Sequence, residues 1–383
     1  MKRQANFEIL RVVAMAMIVS MHFMQKGGIL TPLSYDTSAA NCAAWLIESF
    51  CIVAANCYVL IAGYFLVDAQ WKGKKLLTLV SQILFYSLLI PIVCLLLGIG
   101  DVHVWTVYDW IIAVLPLQME HYWFATAYVL MFLLSPILAA GVKQLSKKQL
   151  EITIGLLLVY FCVFKSISPI LLSTDRYGYD YPWFICLFLI AAYIKLYGNG
   201  ENGLQIATFE QPGSKNGLQH EKSKQVGSGN GLQLGEVKLF ESAKSSMICY
   251  VVTAVLIFVF SVVLGIINAR IGKFDYYMNM VYSYNHILTL FASLSLFFAF
   301  KHWQPKDCGL VRFLCKLAPY TFGVYLIHEN IVLRNLWPYW LGVERVKGSI
   351  LFLPYMLFVI VVVFAVCMAV DWVRTRLFRK FAK

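Results

Sequence analysis

Two residues near the start of the chain have types and spacing suited to chemistry inside a membrane. Arg11 and His22 lie in one apolar stretch, 8–26, together with Glu8. In a helix, eleven steps of about 100° bring the two side chains back to within roughly 20° of one face, about 16 Å apart along the axis. Charged groups in hydrocarbon are costly unless they face a polar interior, so this stripe indicates a functional site. The alternative is structural: Arg11 reaches the lipid headgroups and His22 hydrogen-bonds a neighbouring helix.

Four further residues are candidates for the same site. His328 lies in a late apolar stretch and Glu48 in the second one. A carboxylate beside a histidine suits general acid–base catalysis, because it fixes the tautomer and tunes the pKa of the imidazole. Lys72 and Lys75, together with Arg11, form a group of cations able to bind a phosphate-bearing ligand. The lysines also have a simpler interpretation, as residues that fix the orientation of the chain in the membrane.

The composition is that of a membrane protein. Of the 383 residues, 60% are hydrophobic and only 14% are charged, whereas charged residues make up about a quarter of a soluble domain. The mean hydropathy of +0.70 indicates that most of the chain lies in lipid. The net charge of +12 does not indicate a nucleic-acid partner, because the basic residues are spread among short loops rather than gathered in one patch.

The hydrophobic pattern predicts an all-α, polytopic helical bundle with about ten transmembrane helices. The apolar stretches lie near 8–26, 43–67, 76–98, 122–142, 150–167, 182–198, 246–268, 284–300, 313–333 and 349–371. The segment 104–117 is too short to span and is expected at the membrane interface.

Basic residues are concentrated in every second loop, on one side of the predicted bundle, and the opposite loops are acidic or mixed. By the positive-inside rule the basic side, which includes both termini, is cytoplasmic. In this orientation Arg11 lies near the cytoplasmic side, whereas His22, His328 and Glu48 lie toward the outer side. The outer loop 334–348 is an exception, since its basic residues outnumber its acidic one.

Residues 199–245 interrupt the apolar pattern. The sequence Asn-Gly-Leu-Gln begins at 202, 216 and 230, and such a polar, glycine-punctuated repeat predicts a flexible cytoplasmic loop. A partner-binding role is the alternative. The loop divides the chain into 1–198, with helices one to six, and 246–383, with helices seven to ten and a basic tail.

The stretch Asn6-x-Glu8-x-x-Arg11 followed by His22 resembles the N-terminal Arg-x10-His signature of the membrane-bound acyltransferase-3 family. The segments Gly63-Tyr-Phe-Leu66 and Tyr325-Leu-Ile-His328 fit the same family. So do the predicted helix count and the segment 134–138. The resemblance covers the chain apart from the 199–245 loop.

The resemblance implies a cell-membrane O-acyltransferase. It would take an acyl group from cytoplasmic acyl-CoA, usually acetyl-CoA, and pass it to a hydroxyl of an extracytoplasmic polysaccharide or lipid-linked glycan. By analogy Arg11 lies near the donor, and His22 is the base or a transient acyl carrier. Some members have Arg-x-x-Arg before the third helix, where this chain has Lys72-x-x-Lys75, and lysine lacks the planar fork of arginine. No metal is expected, since no H-E-x-x-H motif is present.

Two other function classes fit the sequence. A transporter or exporter of a small solute or glycan would use the His and Glu residues as a proton relay. A membrane module without its own catalysis, such as a sensor, is the third possibility. Consumption of acetyl-CoA distinguishes the acyltransferase from both.

Overall fold

The computed structural model of the protein describes residues 4–168, 170, 172–173, 175–198 and 240–381. The predicted loop, with its three repeats, lies outside the described residues except for 240–245. Every regular element in the described part is a helix, which confirms the all-α prediction.

Ten helices coincide with the ten predicted stretches. Eight are long and apolar enough to cross a membrane, and two shorter apolar helices, of 17 and 16 residues, complete the set in the described part of the chain. They are α1 Ala5–Lys26, α2 Ala39–Leu66, α3 Gly73–Leu97, α4 Trp123–Gln144, α5 Lys147–Ile167, α6 Tyr181–Tyr197, α7 Ala243–Ile271, α8 Ile287–His302, α9 Gly309–His328 and α10 Phe352–Phe378. Shorter helical segments are Val102–Val104, Val107–Val114, Asp275–Met280, Leu336–Trp340 and Val343–Val346.

Helices α1 and α2 form the centre of the bundle. In each, 72% of the apolar window is buried, against 17–39% in the other long helices. Helix α1 contacts α2, α8, α9 and α10. The outward faces of the surrounding helices expose large apolar side chains, as expected where lipid is the solvent. The stripe that carries Arg11 and His22 is therefore enclosed by protein.

The bounds of α1 and α2 fix where the site residues lie along each helix. Helix α1 ends at Lys26 and is followed by Gly27, where an added Cβ would lie 2.3 Å from Cγ1 of Val343, so only glycine allows this close approach. Helix α2 was predicted as 43–67, but it begins at Ala39, and Ile52-Val53 interrupts its regular pattern. Glu48 accordingly lies about two and a half turns into α2 rather than near its start.

Helix α9 ends earlier than the predicted 313–333. It stops at His328, because Asn330 directs a turn: its Oδ1 accepts from the amide of Val332 at 3.1 Å, and its Nδ2 donates to the hydroxyl of Tyr122 at 2.9 Å. The prediction that His328 lies well inside a helix is therefore wrong. His328 is the last residue of α9 and lies beside the loop that follows it.

Helices α1 and α9 run in the same direction. Arg11 lines a cavity with Thr321 at the start of the last segment of α9, and His22 contacts His328 at its end. This parallel arrangement brings two histidines from distant parts of the sequence to one level.

Candidate active site

The two histidines that the sequence singles out are in direct contact. Nδ1 of His22 lies 3.0 Å from Nε2 of His328 and 3.2 Å from Oε1 of Glu329. His328 is 2% exposed. The site thus joins two imidazoles and a carboxylate, the groups that general acid–base catalysis uses.

The hydrogen bonds assign the tautomers. Nδ1 of His328 lies 2.6 Å from the carbonyl oxygen of Val324, and a carbonyl only accepts, so this nitrogen carries the proton. In a neutral imidazole the Nε2 of His328 then accepts, and Nδ1 of His22 is the donor in the 3.0 Å contact. Glu329 accepts from the same Nδ1–H. The Nε2 of His22 keeps its lone pair and has no hydrogen bond to a described residue, which leaves it available to take a proton from a substrate.

Lys26 completes the cluster. It lies four residues after His22, on the same face of α1, and its ammonium pairs with Oε1 of Glu329. Burial raises the pKa of Glu329, but the neighbouring His22 and Lys26 lower it more, to about 2. Glu329 is therefore ionised at neutral pH, and its charge holds the imidazole of His22 by a charge-assisted hydrogen bond.

Arg11 lies at the opposite end of the stripe. Its Nη1 binds Oε1 of Glu8 at 2.5 Å, and its carbonyl oxygen accepts from the hydroxyl of Tyr58 at 2.6 Å. The Arg11 side chain is 29% exposed and lines a cavity of ≈ 310 Å³, the Arg11 cavity, with Glu8, Tyr58, Leu79 and Thr321. The arginine is held in place by one carboxylate and still faces open space, as a residue that binds an anion requires.

An aromatic neck connects the Arg11 cavity to His22. This small cavity, of ≈ 40 Å³, is lined by His22 and by the rings of Tyr58, Trp123, Phe124, Tyr284, Phe322 and Tyr325. It shares Tyr58, Phe124 and Phe322 with the Arg11 cavity.

On the other side of the neck, His22 lines a polar cavity of ≈ 330 Å³, the His22 cavity, together with Gln25, Lys26, Glu329 and Arg334. The neck and the His22 cavity share His22, Met21, Trp123 and Tyr284. Three adjoining cavities therefore lead from Arg11, past His22, to Lys26 and Arg334.

The remaining predicted residues lie outside this contact group. Glu48 is buried beside Gln25, whose Nε2 donates to Oε1 of Glu48 at 2.6 Å, and no described contact joins Glu48 to His22. Lys72 precedes the first residue of α3 without a capping hydrogen bond from its side chain, and both Lys72 and Lys75 are exposed. Lys75 precedes Leu79 by one helical turn, so it lies on the face of α3 that borders the Arg11 cavity.

The cluster also has the ligand atoms for a metal ion. One atom each from His22, His328 and Glu329 lie within 4.8 Å of one another. The ammonium of Lys26, however, binds the same carboxylate oxygen, Oε1, that a cation would need, and the two positive charges would repel. The hydrogen-bonded arrangement therefore accounts for the cluster, and the absence of a metal stays a prediction that activity after exhaustive chelation tests.

Sequence reasoning did not assign Glu329, Lys26 or Arg334 to the site. The signal for Lys26 was its i,i+4 spacing from His22, and that for Glu329 was its position beside His328. Arg334 belongs to the loop 334–348, which was predicted to be an outer loop although its basic excess departs from the positive-inside pattern.

Comparison with known proteins identifies the family. A family model described as an acyltransferase domain matches residues 4–372, nearly the whole chain. The search of curated proteins and the search of solved structures gave no match. The matched range includes every residue that lines the three cavities.

Proposed function

The chain belongs to the membrane-bound acyltransferase-3 family, and we propose that it is an O-acetyltransferase of the cell membrane. It takes the acetyl group of cytoplasmic acetyl-CoA and passes it to a hydroxyl of an extracytoplasmic polysaccharide or lipid-linked glycan. The observation that carries the proposal is the set of adjoining cavities with Arg11 at one end and the His22, His328 and Glu329 contacts at the other.

The donor enters from the side of Arg11. Acetyl-CoA is a large anion that cannot cross lipid, but its thioester sits on a long, thin pantetheine arm. Arg11 binds the phosphate groups, together with Lys72 and Lys75 at the exposed start of α3, and the arm extends along the aromatic neck toward His22. The neck has a volume of only ≈ 40 Å³ in this structure, so the arm must displace aromatic side chains as it enters.

The transfer takes place at Nε2 of His22. The acceptor hydroxyl in the His22 cavity gives its proton to this nitrogen, and its oxygen attacks the thioester carbonyl. The C–O bond forms, the C–S bond breaks, and the proton passes from His22 to the sulfur of the departing CoA. His328 and Glu329 accept the Nδ1–H of His22, which orients the ring and stabilises the imidazolium that forms.

Isolated membranes test the proposal directly. Acetyl-labelled acetyl-CoA is supplied to the cytoplasmic face of vesicles that contain the wild-type protein, and label is measured in glycan from which existing O-acetyl groups were first removed. Membranes with His22→Gln are the matched control. The proposal predicts label in the glycan and release of CoA with the wild type only. Movement of solute or glycan without CoA release would instead support the transporter.

A further inference from the structure

A second cavity, with both apolar and polar lining residues, adjoins the His22 cavity and has no role in the transfer step. This side cavity, of ≈ 510 Å³, is lined by Gln25, Trp45, Glu48, Tyr179, Asn279 and Tyr282 among others. It shares Gln25 and Tyr179 with the His22 cavity. A molecule that fills both cavities would pass directly beside these two residues.

Aromatic faces make up one part of the side cavity. The rings of Trp45 and Tyr282 lie 4.9 Å apart, and Nε1 of Trp45 donates to the carbonyl of Thr31 at 2.7 Å. The polar edge of the tryptophan is thus satisfied by the protein, so its flat apolar face is what remains for a ligand. Tyr177 and Tyr179, 38% and 43% exposed, stand at the rim.

The rim is held in place rather than left to fold around a ligand. The amide of Tyr177 donates to Oδ1 of Asp175 at 2.8 Å, and its carbonyl accepts from the amide of Tyr284 at 3.0 Å. Asp175 in turn pairs with the buried Lys165, whose ammonium lies 4.0 Å from the ring centroid of Tyr177. A pre-formed pocket wall binds without the entropic cost of ordering a loop.

Glu48 has a buried carboxylate oxygen without a hydrogen-bond partner in the described part of the chain. It is 2% exposed, its Oε1 accepts from Gln25, and its Oε2 has no hydrogen-bond partner among the described residues. A buried polar atom normally has a partner, and a ligand that donates a hydrogen bond would supply one. A lipid acyl chain cannot do so, whereas a hydroxyl can.

We infer that the side cavity binds a second sugar unit of the acceptor, next to the unit that is acetylated at His22. The apolar face of the sugar ring stacks on Trp45 and Tyr282, and one of its hydroxyls donates to Glu48. This inference rests on the proposed function and narrows it: the acceptor is an oligosaccharide or polymer rather than a single sugar. Glu48 is then an acceptor-binding residue and not a base.

The dependence of transfer on acceptor length tests the inference. Surface polysaccharide of the source cells is stripped of O-acetyl groups, partially hydrolysed and separated into fragments of one to six units. With the purified wild-type protein, kcat/KM is expected to rise at least tenfold between one unit and three. In Trp45→Leu and in Glu48→Gln the ratio of three-unit to one-unit kcat/KM should fall toward one, mainly through KM.

Tyr35→Leu is the matched control, since Tyr35 is 85% exposed and does not line the side cavity. It should keep the wild-type ratio. Glu48→Gln preserves the shape of the side chain, so it tests the inference even if Trp45→Leu fails to insert. A wild type that acetylates single sugars as well as longer fragments, or variants that keep the wild-type ratio, would overturn the inference and leave the proposed function standing. Absence of transfer to fragments of every length would overturn both.

Discussion

Replacing Glu329 by Gln separates the orientation of His22 from the binding of acetyl-CoA. Glutamine keeps an oxygen that can accept from His22 but removes the charge that makes this hydrogen bond strong. A hydrogen bond to a charged group contributes about 1.5–3 kcal/mol, against about 0.5–1.5 kcal/mol for one between neutral groups, so the substitution loses about 1–1.5 kcal/mol. A tenfold change in rate corresponds to about 1.36 kcal/mol, and we therefore expect kcat to fall roughly 5- to 13-fold. The KM for acetyl-CoA should stay within about twofold, because Arg11 lies about 16 Å away along α1.

The assay is release of CoA thiol and of labelled glycan by the purified protein, with kcat and KM determined separately. Glu344→Gln, which changes an exposed carboxylate in the loop after α9, is the control and should behave as the wild type. Glu329→Gln also leaves the ammonium of Lys26 without its carboxylate. The loss of this ion pair is a second way in which the substitution can lower activity.

The double variant Lys26→Met/Glu329→Gln distinguishes these causes. If Glu329 orients His22, the double variant stays as slow as the single one. Recovery of the wild-type rate in the double variant would show that Glu329 serves only to pair Lys26. A single variant with unchanged kcat would refute the assignment of Glu329 altogether.

Four other sets of variants test the site, the buried ion pair and the predicted orientation. His22→Gln should lower transfer by about 10²–10⁴-fold while equilibrium binding of acetyl-CoA is retained, and transfer near the wild-type rate would defeat its assignment as the base. Arg11→Ala should raise the KM for acetyl-CoA. Arg11→Lys should restore the KM only in part, because the point charge of an ammonium replaces the planar fork of a guanidinium. Equal KM values in the wild type and both variants would exclude Arg11 from donor binding. Lys165→Met should destabilise the protein by about 3–5 kcal/mol, because it leaves Asp175 buried and unpaired. Thermal unfolding measures this loss of stability, and Lys147→Met, which changes an exposed lysine, is the control and should leave the stability nearly unchanged. A cysteine introduced at position 220 of a variant whose ten native cysteines are replaced by serine should react with an impermeant thiol reagent only from the cytoplasmic side, and labelling of that variant in intact cells would reverse the predicted orientation.

The sequence predicted those features of the site that depend on one helix. Arg11 and His22 share a face because the helical period places them there, and the structure keeps both on the line of cavities. The ten apolar stretches likewise appear as ten helices, since length and hydrophobicity decide which segments enter lipid. The helix boundaries differ from the predicted ones where a local contact ends a helix, as the hydrogen bond of Asn330 does after His328.

The contacts between helices could not be predicted in the same way. The sequence placed His22, His328 and Glu48 at a similar depth, but depth does not specify which way a side chain faces around the helix axis. The packing turns His328 toward His22 and turns Glu48 toward Gln25. Glu329 was visible beside His328, yet its pairing with Lys26 depends on the turn that ends α9 and on the parallel course of α1.

The narrow aromatic neck also has an electrical consequence for the cell. A route through the bundle that stayed filled with water would conduct protons and ions, and a membrane potential of 100 mV drives each elementary charge with about 2.3 kcal/mol. The neck is small, at ≈ 40 Å³, and its ring-lined walls offer water few hydrogen-bonding partners. We therefore expect the closed neck to limit such leakage, so that the membrane keeps its voltage between one turnover and the next.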